Sequence, residues 1–435
     1  MRTLIVGGGM AGMAAAIAAA ERGDAVTVLE RNAKSLKKLG VAGNGRGNLL
    51  NAGSPMYYGD PAFAMRVLES LPYAKLAAFW ESIGVPLRID VEGRVYPTAL
   101  LASVAVDALR LRAAQLGIEV RCRTKVTRLS CENGVFIAET TEEIPPNLPQ
   151  GKKYEKKGKQ KAPDAMFREC RFTADRVIVT AGGAAAPAHG TDGTAYGLLT
   201  GFGHTLHTPK PALCAICTDK KTIQGLAGQR ARAALRLTHV TLPEYMAEGE
   251  ILFAEDGISG IAAMELARFV DSGSVLHVDF RPAIGKENQS ESAIVKWLMS
   301  LAKSRLDLPI AELLTGAMAA PLSRAILSAA AVSKRERPIR ELPATRFDTI
   351  AKILTDFPLP VAHVRGFENA QVTAGGIAAS EFDPATMESR LMPGLLAAGE
   401  VLDVDGACGG FNLMFALASG LLAGDPSCAA QPALL

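Results

Sequence analysis

Apolar residues at the start of the chain form two short runs with a helical pattern between them. The first run, Thr3–Val6, ends in a cluster of glycines, and small apolar residues then continue to Ala20. A second apolar run, Ala25–Glu30, ends in an acid. Strand, tight turn, helix and strand in this order predict a βαβ unit.

Glycine-ended strand patterns return at 176–183 and 394–400. Beyond Pro187 the pattern changes to short strands and turns, and near Gly285 it becomes helical. From Phe367 the glycine-punctuated, apolar strand pattern seen at the N-terminus returns. These changes predict one discontinuous α/β domain that surrounds an inserted β-rich substrate domain. The predicted segments are 1–187 and 367–435 for the first domain, 188–280 and 333–366 for the inserted domain, and 281–332 for a helical insertion within it.

The segment Glu142–Pro163 differs from its surroundings because it is rich in proline and lysine. It holds four prolines and six lysines, at positions 152, 153, 156, 157, 159 and 161. This composition predicts a long exposed loop between two strands. The lysines either face solvent or attract an acidic partner.

Composition narrows the class of protein. The chain has 435 residues, and 49% of them are hydrophobic, which excludes a disordered or fibrous protein. At roughly 150 residues per domain this length suggests about three domains. A net charge of +3 is too small for a general nucleic-acid or membrane-surface binder. We therefore expect a small-molecule substrate and neither nucleic acid nor membrane as a partner.

The cysteines and the apolar runs indicate in which cellular compartment the protein is expected. Seven scattered cysteines are too few, and odd in number, for a disulfide framework in a chain this long. The strand that begins at Thr3 leaves no room for a signal peptide, and no run reaches the ~20 apolar residues of a membrane span. These features predict a cytoplasmic protein and leave its oligomeric state open.

The glycine cluster Gly7-Gly-Gly9-Met-Ala-Gly12 matches GxGxxG between the first strand and its helix. Such a turn places the N-terminal amides of the helix against a pyrophosphate. Glu30 follows 21 residues beyond Gly9, where a carboxylate binds ribose hydroxyls. A purely structural turn is the alternative, but the order of elements favours a dinucleotide site.

The later glycine-ended strands indicate which dinucleotide is bound. Several distant segments converge on one ligand, which favours FAD over the shorter nicotinamide cofactor. In Gly399–Glu400 a carboxylate follows a buried strand and is placed to accept hydrogen bonds from ribityl hydroxyls. The motif Gly409-Gly-Phe-Asn412 then opens an apolar helix whose amides would face the flavin pyrimidine ring, where negative charge accumulates on reduction.

Four motifs give the chain a specific resemblance to a known family. They are GGGMAG at the N-terminus, LGVAGNGRGNLLNAG at 39–53, EILFAEDGISGIAAMELARF at 250–269, and the long stretch VTAGGIAASEFDPATMESRLMPGLLAAGEVLDVDGACGGFNL at 372–413. On these motifs the chain resembles the BaiN/YhiN-type (BaiN/RdsA, aminoacetone-oxidase-like) family of NAD(P)/FAD-dependent oxidoreductases. The resemblance implies an α/β fold in which a two-dinucleotide-binding-type, Rossmann-like FAD domain carries an inserted β-barrel-like domain with a small helical module.

The loop 43–48, GNGRGN, resembles the family's GNGRCN element, which lies along the FAD. Here Gly47 stands where the family usually has cysteine, Leu50 where it has threonine, and Ala42 where serine is common. Backbone contacts survive these changes, whereas an activity that depends on the thiol or the hydroxyls is not carried over. A glycine-rich surface turn is the alternative interpretation of this loop.

The residues and the resemblance together assign a noncovalently bound FAD to named positions. The assigned residues are Gly7, Gly9, Met10, Ala11 and Gly12 at the pyrophosphate, Glu30 at the adenosine ribose, Val126 at the adenine, Gly43, Arg46 and Asn48 along the cofactor, Ala181 and Gly182 beside it, and Gly399, Glu400, Gly410, Phe411, Asn412 and Leu413 at the ribityl and isoalloxazine end, with Arg31 and Asp403 completing the set. No catalytic acid or base and no metal ligand is assigned. Among the histidines, His363 is the one expected nearest the active site.

These assignments predict a flavoprotein oxidoreductase in which hydride passes from a donor to flavin N5 and then to an acceptor. The resemblance implies either reduction of a small unsaturated or carbonyl substrate with NADH or NADPH as transient donor, which we favour, or oxygen-dependent oxidation of an amine such as aminoacetone. Two alternatives from other classes are a non-catalytic flavin-binding redox sensor and a flavoenzyme that modifies RNA held by the lysine-rich segment.

Overall fold

The computed structural model describes residues 1–145, 166–239 and 243–429. It divides the chain into two compact units, Met1–Lys210 with Val372–Leu435, and Pro211–Gln371. The six lysines of the predicted loop Glu142–Pro163 lie outside the described residues. None of the helices in the described part of the chain has the length and apolar character that a transmembrane segment requires.

The helices and strands are numbered in chain order. The strands are β1 (Arg2–Val6), β2 (Ala25–Leu29), β3 (Leu50–Asn51), β4 (Tyr57–Gly59), β5 (Leu87–Ile89), β6 (Arg94–Pro97), β7 (Glu119–Arg121), β8 (Thr124–Glu132), β9 (Val135–Ile144), β10 (Met166–Ala174), β11 (Arg176–Val179), β12 (Leu206–Ala212), β13 (Ile216–Thr218), β14 (Arg230–Thr238), β15 (Tyr245–Phe253), β16 (Gly257–Ser259), β17 (Val275–Asp279), β18 (Phe357–Val364), β19 (Val372–Ile377), β20 (Leu395–Ala397) and β21 (Val404–Gly406). The helices are α1 (Met10–Glu21), α2 (Pro61–Ser70), α3 (Tyr73–Ser82), α4 (Ala102–Gln115), α5 (Tyr196–Thr200), α6 (Ile261–Leu266), α7 (Glu291–Lys303), α8 (Ala320–Ala329), α9 (Thr345–Thr355) and α10 (Phe411–Gly424).

A parallel sheet forms the centre of the first unit, with strand order β20-β11-β1-β2-β7. In its middle strand Ile5 is paired with Ile178 on one side and Val28 on the other, and all three side chains are buried. Strands covered on both faces are apolar throughout, which is why these segments contain continuous apolar runs. The sheet confirms the predicted Rossmann-like fold.

Helices α1 and α10 pack against each other with their main chains in contact. A Cβ atom on Gly420 would lie 2.4 Å from the carbonyl oxygen of Ala11, and one on Gly424 would lie 2.4 Å from that of Ala15. Only glycine permits this approach. Helix α10 therefore packs directly against α1, and the N- and C-terminal glycine motifs belong to one structure.

Arg176 joins the start of β11 to the end of α10. Its side chain is buried and donates hydrogen bonds to the carbonyl oxygens of Ala423 and Gly424, the latter at 3.0 Å. Carbonyls in the last turn of a helix have no partner within the helix, and a cation is favoured at this end of the helix dipole. Arg176 thus satisfies the C-terminus of α10.

The second unit is built around a closed barrel with strand order β13-β16-β15-β14-β17-β18. Strand β18 pairs with both β17 and β13, which completes the ring. Helices α7, α8 and α9 occur between β17 and β18 in the chain. This unit confirms the predicted β-barrel-like domain with a helical module.

The structure differs from the sequence-based segments in three places. Residues 188–210, predicted in the inserted domain, lie in the first unit, and so do residues 372 onward rather than 367 onward. Helix α9 lies in 333–366, which was predicted as β-rich. Its buried residues Phe347, Ile350, Ala351 and Leu354 follow a helical spacing that the polar residues between them obscured.

Replacement of Arg176 by methionine tests how far the first unit depends on this cap. The buried carbonyl oxygens of Ala423 and Gly424 would lose their donor, so we expect the free energy of unfolding to fall by about 1–3 kcal/mol. Arg171→Met is the matched control, because the Arg171 side chain is 74% exposed and, among the described residues, forms its ion pair with Glu139 at the surface. The control should change stability by at most about 0.5 kcal/mol. Urea unfolding curves with equal losses for both variants would contradict the role of Arg176.

Candidate cofactor site

The turn between β1 and α1 is held by two glycines that the protein itself requires. Gly7 has a φ of +106°, and a Cβ atom there would lie 2.7 Å from the Cα atom of Ala181. A Cβ atom on Gly12 would lie 1.9 Å from the carbonyl oxygen of Gly7. These contacts bring the glycine motif against the end of β11, where Thr180 donates a hydrogen bond to the carbonyl of Gly7 at 2.8 Å.

Gly9 differs from its neighbours because the direction of its missing side chain is open. No heavy atom lies within 4 Å of an ideal Cβ atom at this position. Gly9 is the N-cap of α1, and the first turn of this helix contains no acid that would neutralise its positive end. The amides of Met10, Ala11 and Gly12 therefore begin a helix whose N-terminus is suited to a phosphate group.

Glu30 lies directly after β2, beside the glycine turn. Its side-chain oxygens accept hydrogen bonds from the backbone N–H of Gly8 at 2.8 Å and from the backbone N–H of Asn32 at 2.7 Å. The carboxylate is buried and fixed in orientation by these donors. Thr124, at the start of β8, donates to the backbone carbonyl of Glu30, which brings the β-strand of Val126 alongside.

Arg31 forms an ion pair with Asp192 at 2.6 Å. Burial by itself raises the pKa of the Asp192 carboxyl, but hydrogen bonds from Arg31 and Thr194 outweigh that effect and hold the pKa at about 2. A second constraint on this region comes from Gly182, whose φ is +75° and whose Cβ atom would lie 2.6 Å from the methyl group of Thr191. The loop that follows β11 is thus tied to the segment after β2.

Glu400 lies three residues beyond β20, and its side chain is contacted from two sides. Its carboxylate pairs with Lys38 at 2.7 Å and accepts the backbone N–H of Thr373 at 3.0 Å. Next to it, Gly399 has a φ of +75°, and its Cβ atom would lie 2.9 Å from that of Ala11. The ribityl-end residues predicted from the C-terminal motif therefore lie beside the N-terminal helix.

The start of α10 is packed against the segment 48–51. A Cβ atom on Gly410 would lie 2.4 Å from the carbonyl oxygen of Leu50 and 2.6 Å from Oδ1 of Asn48. Oδ1 of Asn48 is buried and has no hydrogen-bond partner among the described residues. A buried polar atom without a hydrogen bond lowers the stability of a protein. Oδ1 of Asn48 is therefore a candidate to accept a hydrogen bond from a ligand.

Two other residues of this end use their side chains or backbone within the protein. The amide of Asn412 accepts the N–H of Gly406 at 2.8 Å and donates to its carbonyl at 2.7 Å. The ring of Phe411 is buried, and its carbonyl accepts a hydrogen bond from the hydroxyl of Tyr57. Asn412, Phe411 and Leu413 therefore contribute the backbone of the first turn of α10, in which no acid is present.

The loop 43–48 turns through left-handed backbone conformations, and Gly43 and Arg46 are exposed. Gly47 is buried with a φ of +78°, and its Cβ atom would lie 3.0 Å from the Cα atom of Ala102. Helix α4 thus begins where the family's cysteine side chain would need space. The departure at Gly47 is accompanied by close packing, so a thiol function does not transfer to this chain.

Asp403 lies three residues beyond Glu400, and its carboxylate is 2.6 Å from Nδ1 of His207. Sequence reasoning assigned Asp403 to the cofactor and overlooked His207, which lies 196 residues earlier on β12. Sequence reasoning also overlooked Lys38 and Thr373, the partners of Glu400, because no local pattern in the sequence records these contacts. Thr373 belongs to the glycine-containing stretch VTAGGI, whose two adjacent glycines were the one local signal for these contacts.

The residues present fit a dinucleotide. The open direction at Gly9 leaves room for a pyrophosphate at the N-terminus of α1. Near the N-terminus of α10, the buried Oδ1 of Asn48 could accept a hydrogen bond from the ligand.

Across the described ranges, no group of three or more His, Cys, Asp or Glu side chains is arranged to hold a metal ion. Cys214 and Cys217, spaced as CxxC, are buried in the other unit, and burial raises the pKa of the Cys214 thiol to about 11.

The model of the family described as HI0933-like protein Rossmann domain matches residues 1–147 and 150–426. The chain belongs to this family. A relative in Clostridium scindens, a 3-dehydro-bile acid delta(4,6)-reductase, is 33% identical over 97% of both chains. A ribosomal RNA dihydrouridine synthase of Escherichia coli is 22% identical over 96% of this chain and 95% of its own length.

Solved structures are more distantly similar to this HI0933-like chain. A flavocytochrome c3 fumarate reductase is 14% identical, with a TM-score of 0.43 over 98% of this chain and 78% of that one. A 3-ketosteroid-delta4-(5alpha)-dehydrogenase of Rhodococcus jostii is 17% identical, with a TM-score of 0.42 over 99% of this chain and 96% of that one. Family membership and the full-length reductase relative confirm the predicted family and the predicted class, an FAD-dependent oxidoreductase.

Gly9→Val tests the site without disturbing the fold. The valine side chain would enter the open direction at the N-terminus of α1, so we expect a folded protein that loses FAD affinity by roughly tenfold or more. Gly12→Val should instead lose both FAD and stability, because its side chain meets the carbonyl of Gly7. FAD content after gel filtration and thermal unfolding measure the two effects.

Gly197→Val is the matched control for Gly9→Val. Gly197 is exposed, and no heavy atom lies within 4 Å of an ideal Cβ atom there, so the direction of its missing side chain is equally open. It lies in α5 and is not one of the residues assigned to the cofactor. Full flavin occupancy in Gly9→Val, or loss of flavin in the control, would contradict the site.

Proposed function

We propose that this protein is an FAD-dependent reductase that saturates a carbon–carbon double bond conjugated to a carbonyl group, with NADH or NADPH as the source of electrons. The observation that carries the proposal is the 33% identity to a 3-dehydro-bile acid delta(4,6)-reductase over 97% of both chains. The site residues described above support the FAD assignment.

The names of the two relatives support one chemical class of substrate. A 3-dehydro bile acid with a double bond at position 4 contains a ketone conjugated to an alkene. A dihydrouridine is a uridine whose ring double bond, conjugated to a ring carbonyl, has been reduced. Both products arise by addition of hydride and a proton across an electron-poor double bond, and this chemistry suits a flavin.

When bound, FAD supplies the hydride transfer through its N5 atom. The amides at the start of α1 would bind the pyrophosphate, and Glu30 would accept hydrogen bonds from the adenosine ribose. Glu400, held by Lys38 and Thr373, would face the ribityl chain. The first turn of α10 would place its positive end at the pyrimidine ring, which favours a negative charge by about 0.3–2 kcal/mol.

Oxidation of an amine by oxygen is the competing activity, and the same cofactor residues would serve it. A redox sensor without turnover would also bind FAD in this way. The source and destination of the electrons distinguish the three, because only the reductase takes them from a nicotinamide and gives them to an unsaturated carbonyl compound.

Anaerobic mixing with NADH and with NADPH tests the proposal. We expect one of the two nucleotides to bleach the flavin absorbance, and a 3-oxo-4-ene bile acid to restore it with loss of the double bond in the product. Chemically photoreduced protein mixed with the same steroid is the control for the second half-reaction. Failure of both nucleotides, together with bleaching by aminoacetone and recovery with oxygen, would establish the oxidase instead.

A macromolecular substrate is the second question that the relatives raise. Among the described residues, the arginines of β14 are matched by glutamates in β15 or directly before it: Arg236 with Glu244 at 3.1 Å, Arg232 with Glu248 at 4.0 Å, and Arg230 with Glu250. These glutamates compete with phosphate groups for the arginines. This face of the barrel therefore gives no support to an RNA substrate.

We expect labelled ribosomal RNA fragments to show no mobility shift with the protein at low salt. Polylysine of similar length to the lysine-rich segment is the positive control for the gel. A shift that weakens as salt is added, together with dihydrouridine formation in the RNA, would show that the substrate is RNA and not a steroid. The proposed reduction of a conjugated double bond would still hold.

A further inference from the structure

His207 and Asp403 form a hydrogen-bonded pair in the first unit. Nδ1 of His207 lies 2.6 Å from a carboxylate oxygen of Asp403. The Asp403 side chain is 13% exposed, whereas the imidazole is 54% exposed. One end of the pair is therefore fixed inside the protein, and the other reaches a surface that a substrate can approach.

The position of Asp403 is set by its backbone on both sides. Its N–H donates to the carbonyl of Ile377 at 2.8 Å, and its carbonyl accepts the N–H of Asp60 at 2.9 Å. A Cβ atom on Gly59 would lie 2.5 Å from Oδ1 of Asp403, so glycine is required opposite the carboxylate. The carboxylate that orients His207 is thus rigidly placed.

This contact determines which nitrogen of His207 is available. An ionised carboxylate only accepts hydrogen bonds, so Nδ1 carries a proton and donates it to Asp403. Nε2 points away from the carboxylate, and none of the described residues hydrogen-bonds it. In the imidazolium form Nε2 carries a transferable proton.

Two other histidines with acidic partners are already used by the protein. His204 is buried between Glu381 at 2.7 Å and the hydroxyl of Ser389 at 2.9 Å, so both ring nitrogens are occupied. His277 contacts Asp356 through Nδ1 and the hydroxyl of Thr238 through Nε2. His207 differs from both because its second nitrogen faces outward.

The pair lies next to the segment that begins with Glu400. Gly375 and Gly376 on β19 have φ values of +82° and +143°. A Cβ atom on Gly375 would lie 2.5 Å from the carbonyl oxygen of Thr208, and one on Gly376 would lie 3.0 Å from that of Leu402. The glycine pair thus packs the His207 strand and the Glu400–Asp403 segment against one another.

We propose that His207 is the proton donor of the reduction and that Asp403 is its positioning residue, an inference that rests on the proposed function. Bound reduced FAD would supply the hydride that the β-carbon of the unsaturated ketone takes up, and the electron pair of the double bond would move toward the carbonyl oxygen. The imidazolium of His207 gives its Nε2 proton to the α-carbon, becomes neutral, and regains a proton from water. NADH or NADPH would supply the hydride that makes up for the one consumed in each turnover.

His207→Gln tests the role in the substrate half-reaction, because glutamine can still donate to Asp403 but cannot transfer a proton. We expect reduction of the flavin by the nicotinamide to keep its wild-type rate, and reoxidation by a 3-oxo-4-ene bile acid to slow by about 10²–10⁴-fold. Asp403→Asn should slow the same step less, with a larger change in kcat than in KM. His277→Gln, at a histidine of the other unit whose Nδ1 also contacts an aspartate, Asp356, is the matched control and should behave as wild type.

A second measurement does not depend on turnover. In protein labelled with ¹⁵N-histidine, the resonances that His207→Gln removes should show neutral His207 protonated at Nδ1, and Asp403→Asn should alter that tautomer ratio. A wild-type signal protonated at Nε2, or unchanged reoxidation in His207→Gln, would refute the role of His207 alone. Reduced wild-type protein that the steroid does not reoxidise would refute the proposed function, and the proton-donor role with it.

Discussion

The contact between α1 and α10 is the constraint on which the cofactor site depends. Two helices that are far apart in the chain meet with their main chains touching, because Gly420 and Gly424 have no side chains to separate them from Ala11 and Ala15. This contact brings the C-terminal motif to the N-terminal turn, and Arg176 closes the end of the second helix. A larger side chain at either glycine would separate the two halves of the site.

Glycines serve two different purposes at this site. Gly7 and Gly12 are required by neighbouring protein atoms, and their replacement disturbs the fold before any ligand is considered. Gly9 has open space where a side chain would be, so its small size is not required by neighbouring protein atoms, and we propose that it serves the ligand. A motif such as GxGxxG therefore combines structural and ligand-binding positions, and only coordinates separate them.

The sequence predicted the features that depend on local pattern. The βαβ unit, the glycine-ended strands, Glu30 and the discontinuous first domain follow from apolar periodicity and spacing. Helix α9 was missed because a short amphipathic helix with many polar residues resembles a turn-rich stretch. The pairs Lys38–Glu400 and His207–Asp403 were missed because their members are 362 and 196 residues apart, and no local pattern records such a contact.

The discontinuity of the first unit has a consequence for the order in which the protein is made. During synthesis the barrel strands β13–β18 are complete well before the ribosome reaches α10, so the unit 211–371 can fold while the chain is still growing. The parallel sheet of the first unit and its helix layer are complete only after β20 and α10 have been made, and both come from the last tenth of the 435 residues. A chain interrupted before α10 would expose the apolar face of α1 that packs against it, so the two glycine motifs can come together only after α10 has been made.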